Sequence, residues 1–383
     1  MSETVLRNAR RKQRWIVIAF FFFSGILAAT WTSRIPDIQQ KLALSNAALG
    51  TVLFSIPVGL IAGLSVASWL VATFGAKKVM IGSCVCCALA LAAAGFSATR
   101  FLLMPALFFF GACRTVLNLS SNAGAIEVQQ LYDRPIISGF HGIWSGACFL
   151  AAGLSTGLIL LDVKPAFQFL SVAILLALVA LLFYRRDLNN NLSNEKRPFF
   201  VKPDAYLFLL GLMALCSMLA EGAMFDWSVN YFEKVIKAEK TFRTTGYLSF
   251  VITMAFGRLV GDSLVHRFGI YRMLIINGAM MAIGFLFVAA FPFVLPAAFG
   301  CLLVGAGDSI LVPVVYLLAS RSKKMTPNYA ISSVTLIGYT GFLIGPLLIG
   351  NVSQRVGMGT AFYILSIVSL FIIFLTMRVK KMG

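Results

Sequence analysis

The chain has 383 residues, of which 59% are hydrophobic and only 12% charged, where an ordinary soluble domain carries about 25% charged residues. No single core absorbs that much apolar surface, so the composition excludes a soluble protein and points to one that crosses a bilayer many times. A net charge of +18 from 32 basic and 14 acidic residues would suggest nucleic acid on a soluble protein. Here the basic residues lie mostly between apolar runs, where they set orientation, and no nucleic-acid partner is expected.

The first apolar run, 15–33, follows a basic stretch of Arg7, Arg10, Arg11, Lys12 and Arg14. A signal peptide begins the same way, but no Ala-x-Ala site follows and removal would leave an odd helix count. We therefore read the run as an uncleaved span. Eleven more follow, at 47–73, 79–97, 101–125, 136–161, 166–184, 205–231, 246–265, 272–291, 295–318, 329–350 and 358–377. Each exceeds the ~17 residues that carry a helix across about 30 Å of hydrocarbon. The break between runs nine and ten, at Phe291–Pro296, is the least distinct. The expected fold is an all-α membrane protein of twelve transmembrane helices. A hydrophilic linker near the midpoint divides it into 1–184, a cytoplasmic connection at 185–204, and 205–383.

With the N-terminus inside, 21 Lys and Arg residues fall on the inner side and nine on the outer, while Arg114 and Arg258 lie within spans. This split predicts a multi-pass protein with both termini in the cytoplasm. One outer loop dissents, with Lys234, Lys237, Lys240 and Arg243 partly offset by Glu233 and Glu239.

The stretch Gly63–Lys78 aligns without gaps on Gly257–Arg272, matching at Gly63/Gly257, Val66/Val260, Leu70/Leu264, Val71/Val265, Phe74/Phe268 and Gly75/Gly269. Both copies join an even-numbered span to the next, and six spans separate them. The halves therefore run parallel, as in transporters built from two six-helix bundles.

These loops resemble the signature between helices 2 and 3, and 8 and 9, of the major facilitator superfamily, Gly-x-Leu-x-Asp-Arg-x-Gly-Arg-Arg. The Asp position falls on Ala72 and His266, and the Arg position on Thr73 and Arg267; the Phe-Gly turn and the basic tail persist. Within that superfamily the chain is similar to the YbjJ-type bacterial inner-membrane proteins, distant relatives of sugar permeases such as the fucose permease. The similarity runs through Trp31–Pro36, Asn118–Asn122, His141–Ser145, Ala220–Trp227 and Gly338–Pro346. It implies two six-helix bundles related by pseudo-two-fold symmetry, with spans 1, 4, 7 and 10 lining a central cavity.

Each of those four spans holds polar residues. Span 1 ends in Trp31, Thr32 and Arg34. Span 4 carries Arg114, Asn118 and Asn122 at a spacing of four, on one face. Span 7 carries Glu221 and Asp226, and span 10 carries Asp308 among Gly305, Gly307 and Pro313. A charge at mid-membrane costs roughly 2.5–3.5 kcal/mol on insertion scales, so such groups face a cavity or a partner. Arg114 is read either as a bidentate ligand for an anionic solute group or as one side of an ion pair with Asp308 or Glu221. Glu221, nearer mid-membrane, is read either as a coupling or binding carboxyl or as a structural hydrogen-bonding group. Asp226 and Trp227 suit the outer end of the span.

His141, at the start of span 5, suits a structural hydrogen bond. Arg258 and Asp262, four apart on span 8, suit an intrahelical pair. Gly75 and Gly269 mark the repeat turns. Gly-x-x-x-Gly spacings at Gly142/Gly146, Gly153/Gly157 and Gly341/Gly345 suit close helix packing. All seven cysteines (Cys84, Cys86, Cys87, Cys113, Cys148, Cys216, Cys301) lie inside apolar runs, where no converging thiols are expected. No cofactor or metal site is therefore expected.

The expected function is a secondary transporter, not an enzyme, moving a small polar solute such as a sugar or organic acid and coupled to protons. The expected state is a monomer in the lipid bilayer. Efflux by antiport is the alternative, weakened because the Gly345-Pro346 element lies on span 11 and not on span 5. A non-transporting sensor would carry a long tail or soluble domain. Neither a nucleophile–base pair nor a phosphate-cradling Gly-rich loop is visible, which disfavours a membrane enzyme or an ATP-driven pump.

Overall fold

A computed structural model describes residues 3–132, 136–184, 203–322 and 324–382. Among the described residues every regular element is a helix. In chain order these are α1 (Glu3–Lys41), α2 (Asn46–Leu53), α3 (Ser55–Phe74), α4 (Ala76–Phe96), α5 (Arg100–Gln129), α6 (Ile137–Leu160) and α7 (Pro165–Tyr184). There follow α8 (Ala205–Lys234), α9 (Thr245–Phe268), α10 (Ile270–Ala290), α11 (Val294–Asp308), α12 (Leu311–Ser320), α13 (Pro327–Val356) and α14 (Met358–Met382). With α2–α3 and α11–α12 each counted as one pass, eleven stretches are long and apolar enough to cross a membrane. The 20-residue α7 is a twelfth apolar helix. The expected linker at 185–204 lies almost wholly outside the described residues.

Local chemistry explains where these helices begin and break. The side chains of Ser45, Thr99 and Asp204 accept from the backbone N–H of Ala48, Leu102 and Leu207, so each offsets an orphan donor at the start of α2, α5 and α8. The two interrupted passes break four residues before a proline. Pro57 has no N–H for the carbonyl of Leu53, where α2 ends, and Pro313 has none for the carbonyl of Ser309, beside the end of α11. The two repeat turns are close copies: Gly75 has φ 79°, ψ 151° and Gly269 has φ 81°, ψ 152°. A side chain in that region is strained, which accounts for glycine at both.

The chain forms two compact units, Met1–Leu42 with Ser55–Glu195, and Ala43–Phe54 with Lys196–Gly383. The division departs from two sequence halves at one place, since α2 belongs with the second unit. There Asn46 N donates to Gln354 Oε1 at 3.0 Å, and a Cβ on Gly350 would stand 2.9 Å from Gly50 Cα. The Pro57 break leaves α2 free to follow α13 while α3 packs in the first unit.

The first unit is built around α1, whose Phe20, Leu27 and Trp31 are buried with Leu103, Phe110 and Phe169. Phe21 and Phe140 stack at 5.5 Å between α1 and α6. In the second unit α8 is the central helix, with Trp227, Tyr231 and Phe232 buried beside Tyr247, Phe250, Phe285 and Phe362. Tyr231 Oη donates to the carbonyl of Val288 at 2.7 Å, so the phenol is satisfied inside the core.

Two packing expectations need correction. Of the six glycines in the three Gly-x-x-x-Gly pairs, only Gly341 packs tightly: a Cβ there would run into the Leu215 carbonyl, whereas one on Gly345 would meet only the Leu219 carbonyl at 3.9 Å and Gly142, Gly146, Gly153 and Gly157 have nothing within 4 Å of theirs. Trp227, expected at the outer end of its helix, is 0% exposed, because the outer half of α8 is core and not rim. The dissenting outer loop is also partly explained. Arg243 is buried and pairs with Glu233 at 3.0 Å, so its charge is held within the fold.

Candidate functional site

In the second unit a set of polar groups converges inside the membrane span from five helices. Glu221 on α8 pairs with Arg258 on α9, at 3.5 Å from Oε1 to Nη2. Asp308, the last residue of α11, is 2% exposed and accepts a short hydrogen bond from Ser217, one turn before Glu221 on α8. Glu221 and Arg258 both lie within electrostatic reach of Asp308. Arg258 Nε also donates to the carbonyl of Ser309 at 3.4 Å. Pro313 deprives that carbonyl of its helical donor, so one guanidinium serves both the broken helix and a carboxylate.

Two tyrosines complete the cluster. Tyr316 on α12 and Tyr339 on α13 both lie within electrostatic reach of Glu221, and Thr335 Oγ1 of α13 donates to the Ile331 carbonyl at 2.7 Å. Neither tyrosine stands out in the sequence. Each sits alone in an apolar run, and no spacing rule brings them to a glutamate more than ninety residues away.

The placement corrects one expectation. Arg258 reaches across to Glu221 instead of pairing with Asp262, which is exposed one turn further along α9. The α9–α11 approach explains this: Ser309 and Ile310 fill the space where Gly257 and Gly261 lack side chains, drawing Arg258 towards the break.

The first unit carries a second polar set on α5. Asn118 Oδ1 accepts from Ser24 Oγ of α1 at 2.9 Å, and Asn122 Nδ2 donates to the Asn118 carbonyl at 2.9 Å. Arg114, one turn before Asn118, is partly exposed, and no carboxylate of its own unit pairs with it among the described residues. Trp31, expected on a cavity wall, is 3% exposed and packs between Phe110 and Phe169 at 6.4 and 6.2 Å. It belongs to the core because it faces α5 and α7. Asp226 is partly buried on α8, and His141 meets Phe21 edge-on at 5.2 Å.

Beyond Trp31, a buried network closes the first unit. Arg34 Nε donates to Gln168 Oε1 at 2.6 Å, Arg34 Nη1 pairs with Asp37 at 3.0 Å, and Gln168 Nε2 donates to Ser155 Oγ at 2.7 Å. It joins α1, α6 and α7. Cys86 of α4 and Cys113 of α5 are both free thiols that lie within electrostatic reach of one another. The antiparallel pairing of α4 and α5 brings the middles of both helices together, which spacing along the sequence does not reveal.

Comparison with known proteins agrees with this architecture. The family profile described as Major Facilitator Superfamily matches residues 15–328. An uncharacterized MFS-type transporter of Yersinia pestis is 30% identical over 344 residues, covering 89% of each chain. Among solved structures, the nucleoside transporter NupG superposes with a TM-score of 0.78 at 15% identity, over 96% of this chain and 99% of that one. A D-xylose–proton symporter gives 0.72 at 14% identity, over 94% and 96%.

Proposed function

Because the chain belongs to the major facilitator superfamily and is a multi-pass membrane transporter, we propose that it works by alternating access, moving a small polar solute together with a proton. One observation carries this reading: in the second unit Glu221 and Asp308 stand within reach of a single guanidinium, that of Arg258. Two carboxylates and one cation leave a net negative charge inside the hydrocarbon. A single proton cancels it, where an uncompensated charge costs roughly 2.5–3.5 kcal/mol.

Gain or loss of that proton changes how many carboxylates Arg258 has to balance. The proton is thereby linked to the spacing of α8, α9 and α11, and a ligand shifts such an equilibrium by its differential affinity for the two arrangements. Glu221 and Asp308 are the coupling pair, and Arg258 is the residue that positions them.

Hydroxyl and amide groups stand near the charged cluster and recur on α1 and α5: Tyr316, Tyr339 and Thr335 in the second unit, Ser24, Asn118 and Asn122 in the first. Such donors and acceptors suit a polyhydroxylated solute, and Arg114 suits a carboxylate on an organic acid. The fold neighbours, a nucleoside transporter and a D-xylose–proton symporter, support the same solute class. The inner-sided excess of Lys and Arg supports both termini in the cytoplasm, and the relative from Yersinia pestis supports a bacterial inner membrane.

The experiment is solute flux in proteoliposomes under an imposed pH gradient, using a panel of labelled pentoses, hexoses, nucleosides and small organic acids with an internal pH dye. A transported solute should carry protons with it, and Glu221→Gln and Asp308→Asn should each abolish gradient-driven accumulation. Accumulation by either variant that still follows the gradient as in the wild type would exclude these carboxyls as the coupling pair.

A further inference from the structure

Glu221 and Asp308 share one cation, but the fold treats them differently. Arg258 Nη2 pairs with Glu221 Oε1 at 3.5 Å, and its Nε donates to the carbonyl of Ser309 at 3.4 Å. Among the described residues no cation pairs with Asp308 itself. Its hydrogen-bond partner is the hydroxyl of Ser217, which is 0% exposed. The Glu221 side chain is 17% exposed, whereas Asp308 as a whole is 2%.

Three features of its place disfavour a charge on Asp308. A buried carboxylate without a cation gives up its hydration and neutralises instead. A single neutral hydroxyl offsets only part of that loss. Asp308 is also the last residue of α11, at the end where the helix dipole is negative and repels an anion. Glu221 lies in the middle of α8, away from either helix end, and has the guanidinium.

The groups that face Asp308 are Ser217 and Glu221 from α8 and Arg258 from α9. On its other side α10 meets Gly307 at Asn277 and Met281, both neutral. Tyr316 of α12 lies within electrostatic reach of Glu221. On the reading that these two carboxyls couple transport to the proton, we propose that the proton is held by Asp308, that Glu221 stays ionised as the partner of Arg258, and that Ser217 positions the Asp308 carboxyl.

When the O–H bond of Asp308 breaks, the proton passes to water and the electron pair stays on the carboxylate. That carboxylate competes with Glu221 for Arg258, whose Nε already rests on the neighbouring residue, Ser309. A swing of the Nη groups from Glu221 to Asp308 then loosens α8 from α9. One guanidinium thereby reports the state of the proton to the packing of the helices.

Infrared difference spectroscopy of the full-length protein in lipid tests this, over the neutral to alkaline range where exposed carboxyls are already ionised. The wild type should show the C=O band of a protonated carboxyl, lost as pH rises. A heavy carbon isotope in the side-chain carboxyl of aspartate should shift that band, and the same isotope in glutamate should not. Asp308→Asn should remove the band, and Asp226→Asn should leave it. Absence of the band, a band that follows the glutamate label, or one removed by Asp226→Asn overturns the assignment. Ser217→Ala takes a donor from the ionised form, so the band should persist to higher pH; an unchanged pH profile overturns the role of Ser217. Neither solute nor gradient enters the measurement. Flux that ignores protons would therefore end the coupling reading and leave this assignment standing, and a glutamate band beside proton-coupled flux would do the reverse.

Discussion

Arg258 Nε donates to the carbonyl oxygen of Ser309 at 3.4 Å, the carbonyl that Pro313 leaves without a donor. The same guanidinium holds Glu221 through Nη2 at 3.5 Å. A backbone defect and a side-chain charge thus share one partner, and Asp308 is the residue next to the defect. Irregular backbone inside a membrane persists only where protein or a polar cavity satisfies it. The α11–α12 break is therefore supported by the groups proposed to carry the proton.

Replacing Pro313 by Ala restores the missing N–H and lets α11 and α12 join as one helix. Pro313 is exposed, so the change removes no core packing. Interior proline costs a helix about 3 kcal/mol; part of that cost is already offset by Arg258, so we expect Pro313→Ala to stabilise the protein by roughly 1–2 kcal/mol. Transport should fall, because the carbonyl that draws Arg258 to this point then has a helical donor. Thermal unfolding in detergent, paired with flux in proteoliposomes, reads both effects; unchanged transport would separate the break from the mechanism.

The ion pair itself predicts non-additivity. The Arg258 and Glu221 side chains are 32% and 17% exposed, so breaking the pair should cost less than the 3–5 kcal/mol of a fully buried one, and roughly 1–3 kcal/mol is expected. Arg258→Gln leaves two carboxyls near each other without a cation, and Glu221→Gln removes one of them. The double variant should therefore be more stable than the sum of the two single effects by about 1 kcal/mol. A double-mutant cycle on unfolding free energies measures this, and strict additivity would show that the two side chains do not interact.

Helical passes were legible in the sequence because hydrocarbon thickness imposes a length on them, and the repeat was legible because a left-handed turn demands glycine at Gly75 and Gly269. The polar anomalies Glu221 and Asp308 stood out for the same reason, being expensive where they are. Their partners did not. Arg258 looked like a partner for Asp262 because spacing along one helix is visible and the approach of a neighbouring helix is not. Tyr316 and Tyr339 join the site only through packing between helices. Trp31 and Trp227 carry indoles that read as rim or cavity residues from composition, yet they lie in the cores of the units.

The repeat turns give a test of backbone and not of contact. Gly75→Ala and Gly269→Ala should each cost about 1–2 kcal/mol, the price of a left-handed conformation for a residue with a Cβ. A Cβ at Gly269 would meet nothing within 4 Å, so steric crowding does not contribute there. Gly82→Ala, inside α4 with equally open surroundings, should be neutral or slightly stabilising. Equal effects at Gly269 and Gly82 would refute the conformational argument.

Gln168 predicts a cost of a different kind. It is 4% exposed and accepts from Arg34 while donating to Ser155, so it links α1, α6 and α7 through both ends of one amide. Gln168→Leu keeps the volume near that of the amide but removes its acceptor and donor. The guanidinium of Arg34, 2% exposed, then loses a 2.6 Å charge-assisted bond where lipid and core supply no replacement. A buried donor left unmet costs about 1–3 kcal/mol, more when charged. Gln168→Glu keeps an acceptor for Arg34 but sets a second carboxylate beside the Arg34–Asp37 pair, so it should recover only part of the loss. Thermal unfolding of the two variants should therefore separate them, with Leu lowest and Glu between it and wild type; the reverse order would mean that packing, and not the bond to Arg34, sets the role of this residue.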